Sequence, residues 1–548
     1  MFFFATSHIF AIFAFGNDLL INKEVMGKYI NRGVEGFKRF ATNDYVDKTG
    51  LISYINSTIG TSSMLTCVSR PRRFGKTAAA QMLYAYYDKS CDSRELFSKF
   101  KIVDDPTFEQ QLNKFSAIYL DITNFTTRYS GREDIVDLIQ KSVIKDLSKA
   151  YPDVTPEEDS DLMDYLLDIV METGEKFVMI IDEWDALCRE AADKPSLMDT
   201  YVNLLRRLFK GSDTARVFAC VYMTGILPIK KYGTQSALND FREFSMTNPG
   251  QLAGYIGFTE DEVRMLCSKF NMDYETMRDW YDGYNFGPGY LSVFNPNSVM
   301  MACKSGCYAN YWAKTEAFEA LQQYIDLDLT GIKESLERIL MGERQRVRAL
   351  RFGFAVHSIG SDEELLTLLI HLGYLSYNVE EMAVSLPNKE IRMEFVEALR
   401  GSKTHKQLSA LVKTSDRLME ATLSRDEQTV AEIVEQLHTS TAGPDFYNNE
   451  QALRSVLKVG YLSAIDDFVQ IQELPSGKGY ADLALLPRRN SGKPAIVVEL
   501  KWNRPVETAI SQIRERDYPA IVRDFTQNIL LVGISYDVET KVHCCKIE

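Results

Sequence analysis

The segment RPRRFGKT at residues 70–77 has the residue types of a loop that binds phosphate. In such a loop, successive backbone N–H groups and a helix N-terminus converge on phosphate oxygens, and a lysine neutralises part of their charge. Apolar residues 63–69 predict a strand before the loop, and residues 77–87 predict a helix after it. We therefore expect a P-loop that binds ATP and, at Thr77, Mg²⁺. Its predicted nucleotide-binding residues are Arg72, Arg73, Phe74, Gly75, Lys76 and Thr77.

The front of this loop departs from the usual pattern G-x-x-x-x-G-K-[ST], because Arg70 stands at the first glycine position. Together with Arg72 and Arg73, it puts three guanidinium groups beside the phosphate site. Three roles are open to them: clamping phosphates, reaching the nucleotide of a neighbouring subunit, and contacting an acidic group of a partner.

An acidic motif, Asp182-Glu183, follows the apolar run FVMII at residues 177–181. The aspartate suits a place in the Mg²⁺ shell, and the glutamate suits polarisation of the attacking water. A buried strand with a solvated acidic end is the simpler interpretation. The joint occurrence of both motifs, with a strand predicted at residues 116–122 between them, favours an ATPase site. Thr224, which ends the apolar run 216–224, is the candidate sensor of the γ-phosphate.

A second constellation near the carboxyl end comprises Asp482, Glu499 and Lys501. Side chains two residues apart in a strand share a face, so Glu499 and Lys501 should project together after the run AIVV, while Leu500 faces the core. Two carboxylates and a lysine suit hydrolysis of a phosphodiester, because the acids can hold Mg²⁺ or Mn²⁺ and the lysine can position water. A salt-bridged pair of strands is the alternative interpretation.

Further residues are expected around this second constellation. Glu450, upstream on a predicted helix, should complete a metal site with Asp482 and Glu499. Gln512 and Tyr518, on the helix that follows, should face the same cleft.

Length and composition indicate a multidomain globular protein. The 548 residues are too many for one hydrophobic core, and 45% hydrophobic with 25% charged residues is ordinary for such proteins. The net charge of −14 argues against a uniformly basic surface but leaves room for a local basic channel that binds nucleic acid. The nine cysteines lack zinc-like spacing, which favours reduced thiols in a cytoplasmic protein.

The apolar residues 1–16 lack the basic start of a signal peptide and are short for a bilayer span. Met26 opens a sequence typical of the start of a soluble protein. We interpret residues 1–25 as an extension upstream of the natural start, with a membrane-associated leader as the alternative. We expect a cytoplasmic protein with no stable membrane association.

Five landmarks of the sequence are the motifs YVDKTG (45–50), RPRRFGKT (70–77), IDEWDAL (181–187), TGILP (224–228) and YDGYN (281–285). Together with Asp482, Glu499 and Lys501, these motifs resemble those of a prokaryotic protein family. That family joins an AAA-ATPase-like domain to a PD-(D/E)XK nuclease-superfamily domain. The resemblance implies nucleotide roles for Lys76, Thr77, Asp182 and Glu183, and nuclease roles for Asp482, Glu499, Lys501 and Glu450. Domains of this superfamily can also lose cleavage and keep binding.

The strand and helix pattern, taken with this resemblance, predicts an α/β fold class. We expect a P-loop NTPase parallel sheet with helices on both faces, a helical, winged-helix-like middle and a C-terminal α/β restriction-endonuclease-like domain. The predicted divisions are an AAA-ATPase-like domain (26–255), a helical lid (256–345), a small helix-strand module with connector helices (346–440) and a nuclease-like domain (441–548).

Two functions compete at this point, because a third, an ATPase motor with a structural tail, leaves the arrangement of Asp482, Glu499 and Lys501 unexplained. In the first, ATP binding and hydrolysis control a metal-dependent nuclease whose partner is nucleic acid, with DNA favoured over RNA. In the second, the chain is a nucleotide-dependent switch or scaffold whose nuclease-like domain binds without cleaving. Because ring assembly is common for such ATPases, a homo-oligomer is a further partner to consider.

Overall fold

The computed structural model describes residues 27–548, apart from short gaps. Glu450, Tyr518 and the predicted extension at residues 1–25 lie outside the described residues. The gaps are residues 43, 192, 230–237, 287–290, 313–316, 328, 349–358, 442–452, 455, 458–459, 477–478, 488–491, 517–521, 523–525 and 527.

A five-stranded parallel sheet organises the first part of the chain, with strand order β2-β3-β4-β1-β5. The central strands are buried along their whole length, as expected for a parallel sheet with helices on both faces. β2, which lies between the two ATP motifs in the sequence, is an edge strand. β4 is the strand that separates β1 from β3. The strands are β1 (Leu65–Ser69), β2 (Ser116–Asp121), β3 (Phe177–Asp182), β4 (Phe218–Gly225) and β5 (Arg242–Phe244).

Helices and turns surround this sheet, and several begin at side-chain caps. Asp121 and Asp161 each accept a backbone N–H at the start of the following helix. The helices are α1 (Glu35–Ala41), α2 (Gly50–Thr58), α3 (Lys76–Tyr87), α4 (Arg94–Phe97), α5 (Phe108–Gln111), α6 (Ile122–Arg128), α7 (Ile135–Ala150), α8 (Leu162–Thr173), α9 (Ala186–Glu190), α10 (Pro195–Phe209) and α11 (Ser212–Val217).

A small subdomain with its own hydrophobic core follows, between Phe258 and Tyr311, in the region predicted as a lid, and we keep that name for it. Thr259 and Glu262 form a capping box at the start of its first helix. The sequence predicted helices here, and the lid also contains a three-stranded antiparallel sheet of order β6-β8-β7. Its elements are β6 (Phe258–Thr259), α12 (Glu260–Phe270), α13 (Tyr274–Tyr281), β7 (Tyr284–Phe286), β8 (Leu291–Phe294) and α14 (Pro296–Ser305).

A winged-helix-like module packs against the core of the ATPase sheet. Its three strands are antiparallel, in the order β10-β11-β9. Every residue from Leu365 to His371 of α17 is buried, so this helix is enclosed by the protein. The elements here are α15 (Ala317–Ile325), α16 (Ile332–Leu340), β9 (Gln345–Arg346), α17 (Asp362–Leu372), β10 (Ser376–Asn378), β11 (Ala383–Ser385) and α18 (Lys389–Arg400).

Two connector helices lead to a second five-stranded sheet, of order β12-β13-β14-β15-β16. Only β14 and β15 are parallel in it, and the other pairs are antiparallel. One core joins the connectors to one face of this sheet, and a separate core covers residues of the other face. The elements are α19 (Lys406–Ser424), α20 (Glu427–Thr441), β12 (Phe468–Ser476), β13 (Gly479–Pro487), β14 (Ala495–Trp502), α21 (Val506–Glu515), β15 (Ile529–Asp537) and β16 (Val542–Ile547).

The predicted fold class is confirmed by these two sheets and the middle between them. All nine cysteines are free, and most are buried. Among the described helices, none combines the length and apolar character needed to cross a bilayer.

Candidate active sites

The P-loop joins β1 to α3 through two residues with left-handed backbone. Arg73 has φ +66° and Gly75 has φ +93°. For the arginine this conformation is strained, and such strain concentrates at functional sites. No atom lies within 4 Å of a Cβ placed on Gly75, so a larger side chain would have room here. Glycine is favoured at this position by its backbone angle alone. The start of α3 therefore follows a sharp turn, as a phosphate-binding loop needs.

Lys76, Thr77 and Asp182 meet at the carboxyl end of the sheet. Lys76 Nζ donates to the Pro71 carbonyl at 3.0 Å. The Thr77 hydroxyl bonds to Asp182, whose Oδ2 also accepts the Tyr119 hydroxyl at 2.8 Å. Burial, with the nearby charge of Glu183, raises the pKa of Asp182 to about 6. A buried, partly desolvated carboxylate beside a threonine hydroxyl fits the donor set of Mg²⁺.

Glu183 is held between two cations. Its carboxylate lies 3.3 Å from Lys76 Nζ and 2.8 Å from Arg189 Nη2. Burial opposes its charge, but Lys76 and Arg189 outweigh that effect and lower the pKa of Glu183. Its backbone is also left-handed, with φ +50°, so this side chain leaves the strand in an uncommon direction. The structure therefore brings the predicted catalytic glutamate to the P-loop lysine, in its charged form.

Asp185 and Arg189 complete this arrangement, and sequence reasoning missed both. The Asp185 carboxylate is fully buried and accepts the N–H groups of Ile226 and Leu227, at 3.2 and 2.9 Å. Arg189 Nε donates to it at 3.0 Å. Asp185 thus fixes the loop after β4 against the acidic motif. The acidic and basic side chains four residues apart in the sequence were the available signal.

The arginines of the loop have separate places. Arg70 is fully buried and donates to the carbonyls of Ser69 and Phe244, so it holds β5 against the loop. Arg72 is exposed, and its charge helps to lower the pKa of Glu183. Arg73 is exposed and reaches the carbonyl of Tyr311 at the end of the lid, at 3.5 Å.

Two predicted nucleotide-binding side chains have other contacts. Phe74 is buried, with its ring 5.1 Å from that of Tyr284, so only its backbone is available to a phosphate. The Thr224 hydroxyl donates to the Val68 carbonyl on the neighbouring strand at 3.1 Å. The Thr224 hydroxyl could donate to a γ-phosphate only if that hydrogen bond broke.

A cavity of about 960 Å³ lies over the P-loop. It is bounded by the loop, by α1 and by lid residues such as Phe258 and Met300. Lys48, from the segment YVDKTG, lines it and bonds to Glu262 of the lid at 2.5 Å. The size and mixed lining suit a small ligand with an apolar portion and a phosphate portion.

Asp482, Glu499 and Lys501 also come together, on β13 and β14. Lys501 Nζ lies 3.0 Å from Glu499 Oε1, while Leu500 is buried in the core, as the strand alternation predicted. Asp482 Oδ2 accepts the Leu500 N–H at 2.8 Å, which fixes this carboxylate beside β14. All three polar side chains are buried.

Gln512 and Arg454 are the further contacts of these acids. The Gln512 amide donates to Glu499 Oε1, as the predicted position of Gln512 required. Arg454 pairs with Asp482 Oδ1 and was missed, although it lies four residues after Glu450 on the predicted helix.

The environment of Glu499 fits a divalent cation. Burial, followed by the charge of Asp482, raises the pKa of Glu499 to about 7. Its Oε2 is buried and has no hydrogen-bond partner among the described residues. A buried carboxylate oxygen without a partner beside a second carboxylate is an arrangement that a hard cation relieves. Within the described ranges no group of three or more potential metal ligands occurs, and Glu450 lies outside them.

The fold and the two sites together define a P-loop ATPase-type domain joined to a second α/β domain with a nuclease-like acidic centre. Residues 31–234 match the family model of the predicted AAA-ATPases, and residues 448–546 match that of the PD-(D/E)XK nuclease superfamily. The chain therefore carries an AAA-ATPase-like domain followed by a PD-(D/E)XK nuclease-superfamily domain, which confirms the resemblance seen in the sequence.

Other comparisons add little. No curated protein matches the chain. Among solved structures, the Aeropyrum Pernix ORC2 protein (ADPNP-ADP complexes) aligns over 71% of this chain and 97% of its own length, with 11% identity and a TM-score of 0.29. At that TM-score the alignment carries no argument.

Proposed function

We propose that this protein binds and hydrolyses ATP with Mg²⁺, and that ATP controls a metal-dependent nuclease in its C-terminal domain. The observation that carries the nuclease part is the convergence of Asp482, Glu499 and Lys501, with a buried Glu499 oxygen left without a partner. We propose nucleic acid as the partner, DNA before RNA, and a cytoplasmic protein that can form homo-oligomers.

At the ATPase site, each residue has a distinct role in the proposal. Lys76 neutralises phosphate charge, and Thr77 with Asp182 would hold Mg²⁺. Glu183 orients and polarises the attacking water once the incoming phosphate draws Lys76 away from it. Arg189 keeps the glutamate charged and directed at the cavity. Arg72 and Arg73 are proposed to bind the nucleotide from the exposed side of the loop.

At the nuclease site, Asp482 and Glu499 would hold Mg²⁺ or Mn²⁺, with Glu450 as the proposed third ligand. The bound metal would supply Lewis-acid polarisation of the scissile phosphate. Lys501 lies beside Glu499, where its ammonium can position water and stabilise the negative charge that develops. Gln512 keeps the Glu499 carboxylate in place.

A continuous set of contacts supports regulation by ATP. The module meets the P-loop at Gly373, where an added Cβ would lie 2.7 Å from Pro71. At its other end, Arg400 Nη2 of α18 lies 2.8 Å from Asp416 Oδ2 on α19. Asp416 Oδ1 in turn accepts the hydroxyl of Ser463, next to the second sheet, at 2.6 Å. A movement of the loop can therefore reach the nuclease-like domain through packed, hydrogen-bonded elements.

The nuclease proposal is tested with the purified full chain and supercoiled plasmid, with Mg²⁺ or Mn²⁺, each with and without ATP. We expect metal-dependent cleavage that changes with ATP, and none from Lys501→Ala. Lys546→Ala, a lysine at the surface of the same sheet, is the matched control and should cleave like wild type. Intact plasmid in every wild-type condition, or full cleavage by Lys501→Ala, would contradict the proposal.

The regulatory link is tested separately by Asp416→Ala, which removes the acceptor of both Arg400 and Ser463. We expect ATP hydrolysis and cleavage without ATP to stay close to wild type, while the effect of ATP on cleavage is lost. Glu420→Ala, an exposed acid on the same helix, should keep that effect. An undiminished effect of ATP in Asp416→Ala would show that the signal takes another route.

A binding-only role is the second candidate, and one observation favours it. Both carboxylates are already engaged by cationic or amide side chains: Asp482 by Arg454, and Glu499 by Lys501 and Gln512. A nucleic acid retained by the wild-type protein, without cleavage under any metal condition, would support this role.

A further inference from the structure

The contact of Arg454 with Asp482 falls on the carboxylate oxygen that the backbone of β14 leaves open to a metal. Asp482 Oδ2 is already committed to the Leu500 N–H at 2.8 Å, so it is fixed by the backbone of β14. Oδ1 is the remaining acceptor, and Arg454 Nη2 is hydrogen-bonded to it. The Arg454 side chain is 30% exposed and that of Asp482 is 6% exposed, so the guanidinium lies between the buried carboxylate and solvent.

The neighbouring acid has the complementary arrangement. Glu499 Oε1 accepts Lys501 Nζ and the Gln512 amide, whereas Oε2 is buried and has no hydrogen-bond partner among the described residues. A divalent cation that took this oxygen and Asp482 Oδ1 would satisfy both acids. It would also place a divalent charge close to the Arg454 guanidinium, and the two cations would repel each other.

From these contacts we infer that Arg454 is a latch that competes with the divalent cation for Asp482 and must leave before the nuclease site is loaded. The inference rests on the proposed metal-dependent nuclease. Arg454 is a positioning residue in this scheme, since it acts through the carboxylate. An arginine has a long, flexible stem, and this one already reaches solvent, so its guanidinium has an outward path from the carboxylate. There it would meet the phosphodiester entering the cleft, for which a guanidinium is well suited.

The latch is tested by titrating the full chain with Mn²⁺, without nucleotide, by isothermal calorimetry. Arg454→Gln removes the competing charge, and we expect it to tighten Mn²⁺ binding about tenfold, the size of a typical effect of one adjacent charge. Arg514→Gln is the matched control, because Arg514 is an exposed arginine of the same domain that pairs with Glu548. It should bind Mn²⁺ like wild type. Equal or weaker binding by Arg454→Gln would overturn the latch.

Two further variants keep the result interpretable. Glu499→Gln removes a proposed ligand, so the heat that it abolishes belongs to the nuclease site. If wild type and Glu499→Gln titrate alike, the metal site itself, and with it the proposed nuclease, is contradicted.

Arg454→Lys keeps the charge with a shorter reach and a single-point contact, and should bind Mn²⁺ more tightly than wild type but less tightly than Arg454→Gln. If Arg454→Gln does not fold, Arg454→Lys decides, and unchanged or weaker binding by it overturns the latch. The rise in melting temperature with added Mn²⁺ gives a second readout in each variant.

Discussion

At the scale of single residues, Glu183 is the clearest case of a side chain defined by its neighbours. Two cations hold it charged, and a left-handed backbone sets its direction. The same carboxylate also engages Lys76, so the loop and the acidic motif hold each other in place before any phosphate arrives. Nucleotide binding would then exchange one partner of Lys76 for another and release Glu183 toward water.

Glu183→Gln should therefore separate binding from hydrolysis. The amide keeps the size of the side chain but cannot polarise water as a carboxylate does, so we expect hydrolysis to fall by about 10²–10⁴-fold. Binding of a fluorescent ATP analogue should remain. Turnover is measured by phosphate release, with the exposed Glu133→Gln as control. Hydrolysis at the wild-type rate would remove Glu183 from the catalytic role.

At the scale of elements, the sequence predicted every strand of the first sheet except β5, and in the second sheet it predicted β13 and β14, which hold the acidic constellation. Four strands of the first sheet were expected because each is a long apolar run. β5 has only three residues, Arg242–Phe244, and that is too few for a pattern. β15 was also missed, because its apolar run could equally be read as a buried helix without knowledge of its partner β14.

The chemistry of the sites followed the same rule. Lys76, Asp182 and Glu499 could be assigned because each has a fixed position relative to a strand end. Asp185 and Arg454 could not, since their importance depends on which backbone or carboxylate the fold brings to them. The local sequence pattern therefore predicts the first three residues, whereas the roles of Asp185 and Arg454 become visible only in the tertiary structure.

The contact between α17 and the P-loop makes Gly373→Ala informative. Gly373 has φ +89°, and an added Cβ would lie 2.7 Å from Pro71 and 3.1 Å from Trp312. We expect the substitution to lower the free energy of unfolding by about 1–2 kcal/mol, because alanine pays a steric cost in a left-handed backbone conformation. Overpacking against the loop should add about 1–3 kcal/mol.

Gly306→Ala is the matched control for this change. Its φ is +67°, and no atom lies within 4 Å of an added Cβ, so only the backbone penalty applies. Urea unfolding of the two variants gives the comparison. Equal losses of stability in the two variants would mean that the module does not pack closely against the P-loop in solution.

At the scale of the whole molecule, a buried pair of histidines joins the connector to the second sheet. His438 Nδ1 of α20 lies 2.9 Å from His543 Nε2 of β16, and the ring of Tyr536 packs edge-on against His438 and at a tilt against His543. Burial, and then the charge of His438, lowers the pKa of His543 to about 4. Burial also lowers the pKa of His438. Both rings are therefore neutral in the folded protein near neutral pH.

This pair should make stability depend on pH. The unfolded chain takes up protons at these histidines near pH 6.5, whereas in the folded chain burial lowers the pKa of His438 and lowers that of His543 to about 4. Because the unfolded state binds more protons in that window, the melting temperature should fall as the pH drops from 7 to 5. In His543→Asn the fall should be smaller.

Cys544→Ser, on the same strand at an exposed position, serves as the control and should keep the wild-type slope. Melting curves recorded by circular dichroism at several pH values give the comparison. A His543→Asn slope equal to that of wild type would locate the pH dependence elsewhere, with the buried His371 as the next residue to change.

The burial of Arg70 has a consequence for how such loops change through evolution. Its side chain stands at the usual glycine position, and its Nη1 donates to the carbonyls of Ser69 in β1 and Phe244 in β5. A lineage that lost β5 would leave the buried cation without its Phe244 acceptor, and one that restored glycine would leave a void beneath the strand. The unusual first residue and the short edge strand are therefore expected to be inherited together, as one trait.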